Sequence, residues 1–112
     1  MKTRPTADRV KEAVFSSIDD RLYGSRFLDV FSGTGNIALE AVSRGAEVAV
    51  LLEKDADALK VIQDNVTACR QDERCTIMRG DSFASMNTLY RQGKQFDIIY
   101  VDPPYQGGLY EE

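Results

Sequence analysis

Apolar positions along the chain fall into two alternating patterns: short continuous runs, and longer stretches in which they recur every three or four residues. Val10, Val14 and Ile18 recur at four-residue spacing with Ala13 alongside. Thr6 can cap such a segment and Asp8 falls in its first turn, beside the positive end of a helix, so an amphipathic helix is expected over about residues 7–18. Phe27 to Phe31, broken only by Asp29, leads directly into Ser32-Gly33-Thr34-Gly35 and reads as a buried strand with a tight glycine turn. From Asn36 the pattern becomes helical through Ala38, Ala41 and Val42, with Gly45 just past Arg44 as a stop. Val48 to Leu52 is a second apolar strand ending at Glu53 and Asp55, after which Leu59, Ile62, Val66 and Cys69 mark one helical face. Thr76 to Arg79 makes a weaker third strand and Phe83 to Gln92 a helix closed by Gly93. Ile98 to Val101 is a fourth strand, stopped by Pro103-Pro104.

Fully apolar strands joined by helices run parallel with right-handed crossovers, so the predicted fold is an α/β doubly wound, Rossmann-like sheet. No internal repeat or interdomain linker interrupts residues 1–112, which read as one domain: a helical region over 1–25 and an α/β core over 26–112. A fourth strand of Ile98, Ile99, Tyr100 and Val101 would be a flat apolar edge with nothing after it to cover it. The expectation is therefore a sheet truncated after that strand, incomplete at its C-terminus, with a complete small α/β protein as the alternative.

Composition narrows the function. With 43% hydrophobic and 29% charged residues the chain is an ordinary globular sequence. Its longest apolar run, Val48 to Leu52, is far below the roughly 20 residues of a membrane span, and no signal-peptide pattern opens it. No membrane partner is expected, and two cysteines, Cys69 and Cys75, read as buried reduced thiols of a cytoplasmic protein. Too few cysteines and no histidine remain to hold a structural metal, and the lack of histidine also removes imidazole-based nucleophile activation. Any chemistry must come from carboxylates, backbone groups, tyrosine or a cofactor. A net charge of −4 sets a condition on any nucleic-acid reading, because such binders usually present a basic surface.

In doubly wound sheets ligands sit at the carboxyl ends of the strands. Those ends carry Gly33-Thr34-Gly35, Glu53, Asp81 and Asp102-Pro103-Pro104-Tyr105. Gly33, Gly35 and Ala38 fit G-x-G-x-x-A, which serves either tight packing or close backbone approach to a ligand whose anionic group meets the following helix. Glu53 lies 53 − 35 = 18 residues past the second glycine. That is near the ~20-residue offset of a ribose-binding carboxylate, though alone it is equally a solvated helix start. Asp81 can accept from an adenine amino group or simply form the turn in Gly80-Asp81-Ser82. Together these acceptors describe an adenosine pocket, compatible with NAD, ATP or S-adenosylmethionine.

Asp102-Pro103-Pro104-Tyr105 decides among the three. Two prolines stop a strand, but a stop needs neither the aspartate before them nor the aromatic after them. A nucleobase amino group is a poor nucleophile because its lone pair is delocalised into the ring. The Asp102 carboxylate and the Pro103 carbonyl can accept its two N–H bonds and favour a pyramidal nitrogen aimed at an electrophile. Tyr105 would stack on the base, and in-line attack on a sulfonium methyl then needs mainly positioning.

Asp29 to Gly35 resembles motif I of the amino-group methyltransferases, and Asp102 to Tyr105 their D-P-P-Y. Arg4-Pro5-Thr6, Arg9 to Phe15 and Glu40 to Ala46 resemble the RsmD family, bacterial small-subunit (16S) rRNA guanine-N2 methyltransferases of class I, over Arg4 to Tyr105. The resemblance implies that Phe31, Gly33 and Gly35 hold the methionine end of S-adenosylmethionine, Glu53 its ribose and Asp81 its adenine. Asp29, Thr34, Asn36, Lys54 and Ser82 complete the expected cofactor set. Asp102, Pro103 and Tyr105 would take the target guanine, and Arg4 and Arg9 are candidates to touch substrate phosphate or close over the cofactor. The implied partner is small-subunit rRNA or an assembling ribosomal particle.

The chain departs from the family's pattern at Ser16, where relatives have Asn, and at Asn36-Ile37-Ala38, where they have Ala-Leu-Gly. Against that pattern the family's basic hairpin before Arg4 and its strands after Tyr105 are expected to be missing from these 112 residues. These 112 residues alone are therefore expected to methylate rRNA poorly and to self-associate through the fourth-strand edge. Rival readings are a DNA adenine-N6 or cytosine-N4 methyltransferase, which shares both motifs but not the Arg4 to Phe15 segment, an NAD-dependent oxidoreductase, and a non-catalytic nucleotide-binding module.

Overall fold

A computed structural model describes residues 5–101, with side chains from Glu12 onward. Eight elements alternate along it: α1 (Pro5–Leu22), β1 (Arg26–Val30), α2 (Asn36–Ser43), β2 (Val48–Glu53), α3 (Ala56–Ala68), β3 (Cys75–Arg79), α4 (Ser82–Arg91) and β4 (Ile98–Val101). The strands form one parallel sheet in the order β3-β2-β1-β4. The chain builds outward from β1 to β3 and then returns to the other side of β1, so the order reverses between β1 and β4. Such a reversal opens a crevice at the carboxyl ends of the strands, where α/β sheets bind ligands.

The alternation of side chains along each strand divides the core into two layers. Phe27 and Leu51 face α1, α2 and α3, packing with Phe15, Ala38, Ala41, Ile62 and Val66, all at most 1% exposed. Leu28, Val30 and Leu52 face the other way, against Leu89 and Met86 of α4 and Phe96. Register places Ile99 beside Leu28 and Val101 beside Val30 on this second face. Both lie beyond the cover of the single helix there and are 56% exposed.

The predicted doubly wound class and all eight elements are present, with instructive differences. The first helix runs a turn further, to Leu22, because Leu22 continues the Val14–Ile18 spacing and is fully buried. Pro5 opens it, a position where the missing N–H costs nothing. Phe31 is not the end of the first strand: it turns out of it with φ +67°, a left-handed conformation rare for a bulky side chain. Cys69, expected on the apolar face of the third helix, is instead its exposed C-cap residue, and only Cys75 of the two thiols is buried. Asp102, Pro103, Pro104, Tyr105 and Arg4 lie outside the described residues, as does the side chain of Arg9. Among the described residues no helix is long and apolar enough to cross a membrane.

Candidate functional site

The site is built where β1, β2 and β3 end. After β1 the backbone passes through Phe31, then Ser32, whose N–H donates to the Leu52 carbonyl at 3.0 Å and whose hydroxyl donates to the Asp29 carbonyl at 3.1 Å. Gly33 and Gly35 follow with φ of +60° and +81°, a conformation that costs an L-residue roughly 1–2 kcal/mol. The two glycines serve different ends. A Cβ on Gly35 would stand 3.2 Å from Leu51 and 3.4 Å from Ile62, so its absence lets the start of α2 sit tightly on β2 and α3. Among the described residues a Cβ on Gly33 would meet nothing within 4 Å, and Gly33 lines the cleft. Gly35 is also the N-cap of α2 and offers no side-chain oxygen to the amides of its first turn.

Glu53 closes β2 and ties the neighbouring ends together. Its Oε1 accepts from the Gly33 amide at 2.9 Å and its Oε2 from the Asp55 amide at 3.2 Å. Its own carbonyl accepts from the Gly80 amide, 3.0 Å away, at the exit of β3. Asp55 caps α3 through Ala58 N at 2.8 Å, and Asp81 caps α4 through Ala84 N at 3.1 Å. Each cap spends one carboxylate oxygen and keeps the local negative charge at a helix N-terminus, where the dipole favours it.

These residues line an open cleft of about 570 Å³, a volume that suits a nucleoside-sized ligand. Of the residues expected to hold a cofactor, Phe31, Gly33, Glu53, Lys54, Asp81 and Ser82 share this cleft. Thr34 and Asn36 do not: they face a shallower groove between α2 and α3, with Leu39 and Asn65. Asp29 is 1% exposed inside the sheet and is not among the described residues that line the cleft. A second hollow, about 610 Å³, lies at the opposite end of the strands between Val48, Val50, Thr76, Met78 and the 92–96 loop. Its walls are mainly apolar, without the convergent carboxylates of the cleft.

The family described as Conserved hypothetical protein 95 matches residues 1–112. The chain belongs to that family, the RsmD family. It is 33% identical over 109 residues to the Ribosomal RNA small subunit methyltransferase D of Escherichia coli, covering 97% of this chain and 53% of that protein. It is 33% identical over 104 residues to YlbH of Bacillus subtilis, covering 93% of this chain and 56% of that protein. A Thermus thermophilus hypothetical protein of solved structure superposes with a TM-score of 0.81 at 31% identity, covering 93% of this chain and 60% of the other. The chain thus spans a little over half the length of these RsmD-family relatives.

Two cleft or near-cleft residues escaped the sequence reading. Phe83 is 74% exposed at the cleft rim, and its signal was an aromatic directly after Gly80-Asp81-Ser82. Asn65 donates from Nδ2 to the Thr34 carbonyl at 2.9 Å. Its signal was a weak helix former set between Ile62 and Val66, on the edge of an otherwise apolar helical face.

Proposed function

We propose that this protein is an S-adenosylmethionine-dependent RNA methyltransferase acting on the exocyclic N2 amino group of a guanine in small-subunit rRNA. The observation that carries the reading is the convergence of Gly33, Glu53 and Asp81 on one cleft at the carboxyl ends of β1, β2 and β3. In this reading the Glu53 carboxylate accepts from the ribose hydroxyls, and the Asp81 oxygen not spent on Ala84 accepts from the adenine amino group. The open Gly33 backbone and the Phe31 ring meet the methionine end. The cofactor supplies an electrophilic methyl on a sulfonium.

The acceptors for the target amino group are the Asp102 carboxylate and the Pro103 carbonyl, with Tyr105 stacking on the base. They follow Val101 in the sequence, and Val101 pairs with Val30 just before the glycine turn. Loss of the amino proton as the methyl arrives needs no histidine, since Asp102 is already its hydrogen-bond partner.

The test is methyl transfer from isotope-labelled S-adenosylmethionine to small-subunit particles, naked small-subunit rRNA and duplex DNA, with the modified nucleoside identified by mass spectrometry. In a full-length version of the protein the expected product is N2-methylguanosine from an rRNA substrate, abolished by Asp102→Ala with cofactor affinity retained. A methylated adenine or cytosine in DNA would instead establish the rival amino-methyltransferase reading. Activity surviving Asp102→Ala within about tenfold, ~1.4 kcal/mol of transition-state stabilisation, would remove Asp102 from the mechanism.

A further inference from the structure

The glycine turn is gripped from two sides. On the cleft side Glu53 Oε1 accepts from Gly33 N–H at 2.9 Å; on the far side Asn65 of α3 donates from Nδ2 to the Thr34 carbonyl, also at 2.9 Å. Thr34 stands between two left-handed glycines, the segment with the greatest conformational freedom in the site. The two grips differ in what a ligand does to them. When Glu53 offers its carboxylate to ribose hydroxyls, as in the function proposed above, its hold on Gly33 is the grip the ligand competes with. Asn65 faces the α2–α3 groove rather than the cleft, so its bond to Thr34 is untouched by the ligand.

We infer that Asn65 is a positioning residue for cofactor binding, the anchor that keeps the glycine turn in its binding shape while Glu53 changes partners. Helix α3 supplies the apolar half of the same anchor one turn earlier, where Ile62 lies against the bare Gly35 backbone. A side-chain donor is required because the partner is a carbonyl oxygen, and the Asn65 amide supplies it. For the helix alone a leucine would serve better than asparagine.

This inference rests on the cofactor reading, and two variants of similar size separate the two. Asn65→Leu removes the donor and favours the helix; Asn65→Asp replaces the donor with a charged acceptor facing the Thr34 carbonyl. Both are expected to weaken S-adenosylmethionine about tenfold by calorimetry, with Asn65→Leu melting no lower than the parent. In the ligand-free proteins, amides 33–36 should exchange hydrogen faster than in the parent, while the amides of β2 keep their protection. Parent-like affinity in both variants overturns the inference. A lowered melting temperature with unchanged affinity and unchanged exchange does so too, since that is what a merely structural residue gives. A parent protein with no affinity for S-adenosylmethionine removes the cofactor reading and the positioning role with it. In that case faster exchange in the variants still records the clamp on the turn.

Discussion

Glu53 Oε1 lies 2.9 Å from the amide nitrogen of Gly33, twenty residues earlier, and through that bond the end of β2 holds the turn that leaves β1. With its Oε2 on Asp55 N and its carbonyl accepting from Gly80 N, this one residue links the ends of β1, β2 and β3. A carboxylate expected as a ligand for ribose or as a solvated helix start is thus also a brace for the cleft that would contain the ribose. The two roles predict different consequences for different substitutions.

Glu53→Ala removes both roles. Charge-assisted hydrogen bonds of the kind proposed to ribose are worth about 1.5–3 kcal/mol, so S-adenosylmethionine affinity should fall at least tenfold. Thermal stability should fall with it, because the Gly33 amide loses its acceptor. Glu53→Gln keeps a side-chain carbonyl for Gly33 but loses the charge, so it should melt closer to the parent while still binding the cofactor more weakly. Calorimetry and thermal melts on the same samples check this. Equal affinity in parent and Glu53→Ala would take Glu53 out of the binding pocket.

The two glycines of the turn should respond oppositely to the same substitution. Gly35→Ala adds left-handed strain of about 1–2 kcal/mol and forces a methyl to 3.2 Å from Leu51, an overpacking that costs about 1–3 kcal/mol more. Gly33→Ala carries the strain alone, since nothing lies within 4 Å, but places the methyl on the side that lines the cleft. The expected result is that Gly35→Ala loses more stability by urea unfolding and Gly33→Ala loses more cofactor affinity per unit of stability lost. The reverse ranking would reassign which glycine faces the ligand.

These contrasts mark how far the sequence could be read. Apolar runs such as Val48 to Leu52 and helical faces such as Leu59, Ile62 and Val66 announce their elements, because burial on one or two faces leaves a period in the chain. The run Val48 to Leu52 also placed Glu53 at the end of the second strand, where β2 ends. What pattern cannot encode is direction. The left-handed Phe31, the exposure of Cys69 and the turn of Thr34 and Asn36 away from the cleft are set by tertiary packing. Asn65 showed only as a weak helix former beside an apolar face; its partner was not legible, since it lies 31 residues away on an element whose contact with α3 no local rule predicts.

The two thiols should differ sharply in reactivity. Burial pushes the Cys75 thiol up to about 11, with the charge of Asp72 and then the nearby Cys69 adding to it, so almost no thiolate is present near neutrality. Cys69 is exposed at the end of α3. At about pH 8 iodoacetamide should therefore add one group to the native protein, at Cys69, and a second only after unfolding in guanidinium. Peptide mass spectrometry reads this directly, and rapid native labelling of Cys75 would contradict its burial.

At the opposite end of the sheet from the cleft, Arg26 and Asp97 join the starts of β1 and β4. Asp97 Oδ2 accepts from the Arg26 backbone amide at 2.8 Å and from its Nε at 3.2 Å, and Oδ1 accepts from Nη2 at 3.2 Å. Hydrogen bonds from the guanidinium first, then from the backbone amide, hold the Asp97 carboxyl below its usual 3.8. Because the folded value is the lower one, the stabilisation is complete above the usual value and is lost as pH falls through the folded value. Both side chains are nearly half exposed, so salt should weaken the ionic part of the contact. Urea midpoints measured from about pH 6 down to about pH 2 should fall more steeply for the parent than for Asp97→Asn, which cannot gain a proton there. Asp97→Asn should also be the less stable protein above about pH 4 and converge on the parent at the acid end. The comparison isolates this carboxyl from the others, which titrate in both proteins. Parallel curves across the whole range would mean that Asp97 binds its proton equally in the folded and unfolded chain, and that the Arg26 contact does not hold β4 against β1.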